Sequence, residues 1–433
     1  MSALAALALL AASVAGLLGA IALVRRVGAR GRWNAEVSRK AVHIAIGLYA
    51  MFLPLLFDAA WPVVLLILIA LALMAALRTP YSRVHGLGAA IHSVERRSYG
   101  DVWLALAIGF VFLHSGDSYI LYALPIAVIA LSDAAAALLG SSYGRARFAI
   151  EDGVKSWEGV VAFFAVTLII AMIMLLLLTD IPRLNVVVLA LAVAAFAATV
   201  EAVSWRGLDN LFVPIGTHLF LLGYLHANPW ALAGLGAAFF AAVLAVVLLT
   251  PWLGLSDHAS RAFVIATFLF LGVAGFYGTL LPMLVMAAHL VARSRAPCRS
   301  PHADLDFIAT LCATGLIWFF LGETVGPSAI NLYNLALAGV LLGYLLIIAG
   351  VRLLAAALGG ALVFGLYLLL VGFGPERAEW VRHLPVLAAA SLALVAAALV
   401  ARADWFGRWR APRMAGLASV VPLGAYLSQT VIA

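Results

Sequence analysis

An all-α bundle of membrane-spanning helices is the fold that this sequence predicts, and three observations predict it. Of 433 residues, 66% are apolar and only 10% are charged, against roughly 45–50% and 25% in soluble domains. Mean hydropathy is +1.13, and the apolar excess runs from Ala3 to the C-terminus, far beyond one anchor. The apolar runs have the length of about 20 residues that crosses a bilayer, and a chain of this size then holds roughly 14–16 spans. A soluble enzyme, a disordered chain, a coiled coil and a disulfide-framed scaffold are excluded. Cys298 and Cys312 are the two cysteines and imply no cross-linked framework. The net charge of +7 reads as cytoplasmic arginine beside anionic lipid, so no nucleic-acid partner is expected.

The elements follow in order. Leu4–Val24 is the first span, because no basic residue precedes it and Arg25 and Arg26 follow it. Arg25, Arg26, Arg30, Arg32, Arg39 and Lys40 crowd the next segment, which the positive-inside rule places in the cytoplasm, leaving the N-terminus outside. Spans are then expected near Ala41–Phe57, Trp61–Leu77, Asp101–Leu113, Ser118–Gly140, Gly159–Leu178, Leu184–Val203, Leu211–Leu225 and Ala231–Leu249. On that count Arg78–Gly100, Ser141–Glu158 and Ser204–Asn210 all face the cytoplasm. The first two hold Arg78, Arg83, Arg96, Arg97, Arg145, Arg147 and Lys155, whereas the opposite loops near His114–Asp117 and His226–Trp230 hold no Lys or Arg.

Arg261–Val291 is long for one span and short for two. Gly272, Gly275, Gly278 and Pro282 favour a hairpin, which keeps Arg293, Arg295 and Arg299 inside. Phe307–Leu321, Asn331–Gly350, Leu353–Phe373, Leu384–Ala401 and Met414–Ile432 complete the set, with Arg402, Arg408, Arg410 and Arg413 inside again. Trp61, Trp103, Trp230, Trp252, Trp380, Trp405 and Trp409 fall near span ends, as aromatic belts do. Glu376, Arg377 and Glu379 read as a solvated external turn. The chain divides into a first helix with a basic loop (1–38), a polar-rich membrane domain (39–225) and additional helices (226–433).

Ionisable groups inside a membrane cost about 2.5–3.5 kcal/mol each on insertion scales, so those that remain are functional candidates. They gather at the cytoplasmic ends of the first eight spans, in four clusters. Of 26 Lys and Arg residues only Lys40 and Lys155 are lysine, which suggests that two positions need a compact ammonium rather than a planar fork. Arg39, Lys40 and His43 open the second span on one helical face; snorkelling accounts for the first two but not for His43. Glu95-Arg96-Arg97-Ser98-Tyr99-Gly100-Asp101 enters the fourth span, where the arginines also serve as topology signals and Asp101 as a first-turn carboxylate.

The third cluster is the richest. Asp133 lies about 10 Å inside the Gly140 end of its helix at 1.5 Å per residue, a depth that calls for a cation, a metal or water beside it. Gly140 and Gly144 let the backbone bend near a bulky anion, and Arg145, Arg147, Lys155, Ser156 and Glu158 follow at the start of the sixth span. A helix N-terminus carrying Lys and Ser after two Arg has the ingredients of a phosphate site. In the fourth cluster Glu201 is just inside the seventh span and Asp209-Asn210 fall in a turn that also serves as an N-cap. Carboxylates and cations on one face are what a metal–nucleotide phosphate needs.

The strings RKAVHIAIG, ERRSYGDVW, LSDAAAALLGSSYGRARF, GVKSWEGVVAFF and VEAVSWRGLDNLFVP, in this order, resemble the polyprenol kinase family of dolichol kinase, phytol kinase and bacterial relatives, kin to the phosphatidate cytidylyltransferase-like membrane enzymes. The resemblance covers Arg39 to Leu225; the chain from Ala231 onward has no such match. It implies transfer of the γ-phosphoryl group of a nucleoside triphosphate, typically CTP, to the hydroxyl of a membrane isoprenoid alcohol such as dolichol, phytol or another polyprenol, at a cell-membrane site facing the cytoplasm. On the joint reading, Asp133 and Asp209 hold Mg2+ or another divalent cation, with Glu201 and Asn210 as further oxygen ligands. Lys155, Arg145 and Arg147 neutralise the triphosphate, with Arg39, Lys40, Gly140, Gly144, Ser156 and Glu158 around the phosphates, and either Asp133 or His43 is the base for the alcohol. No GxxxxGK[ST] loop or protein-kinase signature is present. Two rival readings are a CTP-dependent lipid cytidylyltransferase and a secondary transporter or flippase. The latter draws on the span count, the broken Arg261–Val291 segment and Glu323 near a membrane boundary. In the stretch His289 to Asp306, Cys298 with His289 and His302 lacks a partner motif for zinc.

Overall fold

Short polar residues start the first two helices. The Ser2 hydroxyl accepts from the Ala5 N–H at 3.2 Å to open α1 (Ala3–Arg30), and the Asn34 carbonyl oxygen accepts from the Val37 N–H at 2.8 Å to open α2 (Ala35–Met51). The structure, a computed structural model, describes residues 2–77, 99–151, 153–374 and 383–432. The expected positions Arg78, Arg83, Glu95, Arg96 and Arg97, and the turn of Glu376, Arg377, Glu379 and Trp380, lie outside the described residues. After α2 come α3 (Ala60–Leu77), α4 (Gly100–His114), α5 (Tyr119–Tyr143), strands β1 (Arg147–Ile150) and β2 (Gly153–Ser156), α6 (Trp157–Leu178), α7 (Arg183–Val203), α8 (Asp209–Tyr224) and α9 (Pro229–Leu253). Then follow α10 (Asp257–Arg295), α11 (Ala303–Val325), α12 (Ile330–Ala349), α13 (Leu353–Phe373), α14 (Leu384–Ala401) and α15 (Arg410–Ile432).

The chain is therefore an all-α, multi-pass membrane bundle. Among the described residues, ten helices are long and apolar enough to cross a bilayer, with two shorter apolar helices at Ala60–Ala76 and Gly100–His114. On that criterion the described residues fall short of the expected 14–16, because α2 and α8, at 17 and 16 residues with charges in their first turns, are too short to count, and Asp257–Arg295 counts once although its backbone breaks at Gly275. A second departure is the antiparallel β1–β2 ribbon, where only helix was expected. Its register sets Phe148 opposite Lys155 and Arg147 opposite Ser156, so Lys155 and Ser156 belong to a strand, and α6 begins one residue later with Ser156 as its N-cap. The dipeptide Val154-Lys155 continues an extended segment because Phe148 offers it a cross-strand partner.

Contacts divide the chain into Met1–Ala241 and Ala242–Ala433. In the first unit α5 and α7 are the most enclosed of the long helices, each with 61% of its apolar window buried. Two features of α5 position its neighbours. Pro125 lacks the N–H that would bond the Leu121 carbonyl, and the His218 Nδ1 of α8 takes that carbonyl at 2.9 Å. Val128–Ser132 winds as a π-turn, a deformation common at functional sites, and its Ile129 carbonyl accepts from His43 Nε2 of α2 at 3.1 Å. Gly47 permits that approach of α2, since a Cβ there would lie 2.3 Å from the Ala130 Cβ.

The second unit is centred on α12, with 78% of its apolar window buried. In α10 the backbone breaks at Gly275 (φ 64°, ψ −173°), a conformation open to glycine. The halves fold back on each other: Thr267 Oγ1 lies 3.6 Å from Met283 Sδ, and Arg293 Nη2 donates to the Gly254 carbonyl at 2.7 Å. The long apolar segment is thus the expected hairpin.

Candidate functional site

The α2 spacing 40, 43, 47 puts Lys40, His43 and Gly47 on one face, and the Gly47–Ala130 approach presses that face onto the π-turn of α5. Asp133 follows the turn directly. Its Oδ2 accepts from Lys40 Nζ at 2.5 Å and lies 3.4 Å from His43 Nε2. The Lys40 and Asp133 side chains are only 4% and 5% exposed, so each charge depends on the other for the solvation it has lost. Next to Asp133 on α5, the Ser132 hydroxyl accepts from Thr167 Oγ1 of α6 at 2.9 Å. Arg39, one position before Lys40, faces outward to Glu36 at 2.6 Å.

On the other side of the cluster, Lys155 of β2 reaches Glu201 near the end of α7, with Nζ 2.8 Å from Oε1 and a second bond to the Glu201 main-chain carbonyl. Burial alone would push the Lys155 ammonium down, but Glu201, Asp209 and Asp133 outweigh it and hold its pKa above the usual lysine value. The ribbon that carries Lys155 is tied at its ends. Arg206, in the turn between α7 and α8, pairs with Glu151 beyond β1. Arg206 and Gly207 both take positive φ, 53° and 78°, which folds that turn tightly enough for Asp209 to return toward Glu201. At the base of the ribbon, Glu158 Oε1 accepts from the Arg145 and Ala146 N–H groups at 2.9 and 3.0 Å. Gly144 is in close contact here, since a Cβ would lie 2.7 Å from Ser156 Oγ.

Asp133, Glu201 and Asp209, from three different helices, each present a carboxylate oxygen within 4.8 Å of the others, the one such acidic, His or Cys group among the described residues. Like charges that close need cations. Lys40 and Lys155 supply two, and Asp209 is left without a bonded partner among the described residues. Two buried atoms are also unbonded, Glu201 Oε2 and Asn210 Oδ1. Three carboxylates, with Glu201 Oε2 and the Asn210 amide oxygen unbonded among them, form the donor set that a hard divalent cation takes.

Of the expected residues, Asp133, Lys155, His43, Lys40, Glu201 and Asp209 converge, and Asn210 adjoins them in the first turn of α8. Arg39 is on the rim and feels Asp133 and Asp209 through space. Gly140, Gly144, Ser156 and Glu158 build the α5–ribbon–α6 junction: Ser156 Oγ caps α6 by accepting from Gly159 N–H at 3.1 Å, and Gly140 packs against it. Arg145 and Arg147 are exposed. Arg147 pairs with Ser156 and so projects from the ribbon face opposite to Lys155. The expectation missed Glu36, the Glu151–Arg206 tie and the Ile129 carbonyl; Pro125 is the one signal that marks a freed carbonyl on α5. In the second unit His289 and Asp304 bond each other at 2.9 Å rather than joining Cys298 around a metal.

Fold and site together define a multi-pass membrane protein with a buried carboxylate–lysine cluster assembled from helices distant in sequence. Over 188 residues, 43% of its length, the chain is 32% identical to the phytol kinase of Synechocystis sp. (strain ATCC 27184 / PCC 6803 / Kazusa), and it covers 78% of that protein. The chain belongs to the phytol kinase-like family of membrane proteins. No family model and no solved structure matches it.

Proposed function

We propose that this protein is a membrane lipid kinase that moves the γ-phosphoryl group of a nucleoside triphosphate, CTP in our reading, onto the hydroxyl of an isoprenoid alcohol such as phytol, dolichol or another polyprenol. One observation carries the proposal: the meeting of Asp133, Glu201 and Asp209 within 4.8 Å, with Lys40 and Lys155 bonded to two of them. Phosphoryl transfer asks mainly for positioning and charge neutralisation, and this cluster offers both without a covalent intermediate. Asp133, Glu201 and Asp209, with Asn210, would hold a divalent cation such as Mg2+, which when bound supplies neutralising charge at the phosphates. Lys155 remains an ammonium beside Glu201 and is the cation placed to meet the triphosphate as it enters, with Arg39 at the rim.

His43 Nε2 is committed as donor to Ile129 and lies beside Asp133, which leaves Nδ1 with its lone pair. Asp133 Oδ2 is held by Lys40. This favours His43 over Asp133 as acceptor of the alcohol proton. With the N-terminus outside, the cluster faces the cytoplasm, where nucleotide is available. The alcohol head enters from the bilayer and its tail remains in hydrocarbon.

The test is incubation of the purified protein with γ-labelled CTP or ATP and a panel of prenols. The expected result is labelled prenyl phosphate with CDP as co-product, lost on chelation of divalent cations and restored by Mg2+. Release of pyrophosphate in place of CDP would assign the site to lipid cytidylyl transfer and overturn the kinase reading.

A further inference from the structure

At one end of the second unit, the loops 296–302 and 402–409 lie side by side. The Arg299 N–H donates to the Gly407 carbonyl at 2.8 Å, and Ser300 Oγ accepts from the Trp409 N–H at 2.9 Å. Beside them Arg410, only 6% exposed, opens α15. Its Nε donates to the Phe406 carbonyl at 3.3 Å, which engages one of five donors. Among the described residues no carboxylate forms an ion pair with it; Asp304 is occupied by His289 at 2.9 Å and Arg293 at 3.5 Å. A buried guanidinium without an anion is a costly arrangement, and it lines a narrow cleft together with His289, Cys298, Ser300, Tyr344 and Asp306.

The cleft's other polar atoms decide what it takes. His289 Nε2 donates to Asp304, so Nδ1 accepts from the Tyr344 hydroxyl at 3.3 Å and neither group is available. Ser300 Oγ accepts from Trp409 and faces the Cys298 thiol at 3.6 Å, which leaves its own hydrogen to donate. Arg410 and Ser300 are thus uncommitted donors facing one small space, with Arg299 and Arg408 exposed at its rim. Asp306 offsets one positive charge in the cleft, and with Arg410, Arg299 and Arg408 the balance stays positive, which favours an anionic over a zwitterionic headgroup. The rim also carries Trp405, 47% exposed, with the Arg413 guanidinium 5.2 Å from its ring centroid. Exposed Trp and Arg at the ends of apolar helices mark the headgroup level of a membrane.

We infer that the mouth of this cleft, whose interior of about 10 Å³ admits a single oxygen atom, takes one phosphate oxygen between the Arg410 guanidinium and the Ser300 hydroxyl, its source the headgroup of an anionic phospholipid. The inference concerns the second unit alone and does not rest on the phosphoryl-transfer reading.

The test uses the full chain in nanodiscs of phosphatidylcholine with and without phosphatidylglycerol. Native mass spectrometry counts retained lipid, and thermal unfolding with and without inorganic phosphate probes the free anion. Phosphatidylglycerol should be retained over phosphatidylcholine by roughly tenfold, and Ser300→Ala and Arg410→Gln should each erase most of that preference. Ser300→Ala keeps the inference falsifiable should Arg410→Gln fail to fold. Protection by inorganic phosphate without lipid preference would keep the anion site and overturn its lipid source. Equal retention of both lipids with no phosphate protection, or a preference unchanged in Ser300→Ala, would overturn the site itself.

Discussion

At the scale of single residues, the two lysines divide the work. Lys40 is enclosed with Asp133 and has no freedom to follow a substrate, whereas Lys155 is 21% exposed on its ribbon and can turn toward an entering phosphate. Lys155→Met should therefore reduce turnover by about 10²–10³-fold, the usual effect of deleting one electrostatic contact at a transferring group, while insertion and helix content stay normal; single-turnover assays on purified protein check this. Lys40→Met should instead act on stability, by about 3–5 kcal/mol, because Asp133 is left buried without its cation. Asp133→Asn in the same chain should restore much of that loss in stability, while activity is lost with the Asp133 carboxylate. The Lys155 pKa is raised, so the ammonium's share of the Lys155–Glu201 pair is fully present below the ordinary lysine value of 10.5 and is lost only as pH rises through the higher folded value. Lys155→Met should accordingly lower the unfolding midpoint at neutral pH, with the difference narrowing only at strongly alkaline pH. A difference that narrows already between pH 7 and pH 9 would contradict that assignment.

At the scale of elements, α2 and α5 form the joint on which the cluster depends. A Gly47→Ala change puts a methyl 2.3 Å from the Ala130 Cβ, so the helices must part, at a cost of about 1–3 kcal/mol. Since Lys40 and His43 ride on that face, we expect turnover to fall by about 10²-fold through misplacement alone; a compensating Ala130→Gly should recover part of it. This joint also shows what a reader of the chain can and cannot infer. Asp133, Glu201 and Asp209 are legible because a carboxylate within or beside an apolar run demands a partner, and Lys40 and Lys155 because all other basic residues are Arg. The strand under Lys155 is not legible: four residues are too few for period-two alternation to stand out beside a 22-residue apolar helix. Nor is the Ile129 carbonyl, because a π-turn has no side-chain signature and backbone acceptors carry no residue identity. The Gly275 break is legible because no other residue tolerates its φ so readily.

At the scale of the whole molecule, the question is how much of the chain the chemistry needs. Every residue of the carboxylate–lysine cluster, and each tie that positions it, falls within Met1–Ala241. The contacts that secure them are internal to that unit: Pro125 and His218 fix α8 on α5, Glu151 and Arg206 fix the ribbon on the α7–α8 turn, and Gly47 fixes α2. None requires a group from Ala242–Ala433. A chain ending after Leu253, which leaves α9 whole, should insert, fold and phosphorylate prenol within about tenfold of the full-length rate, since sites that share no partners act nearly independently. Loss of activity in a well-inserted truncation would mean that the second unit supplies part of the lipid site. If activity survives while anionic-lipid retention disappears, the two units have separate tasks, with chemistry in one and headgroup recognition in the other.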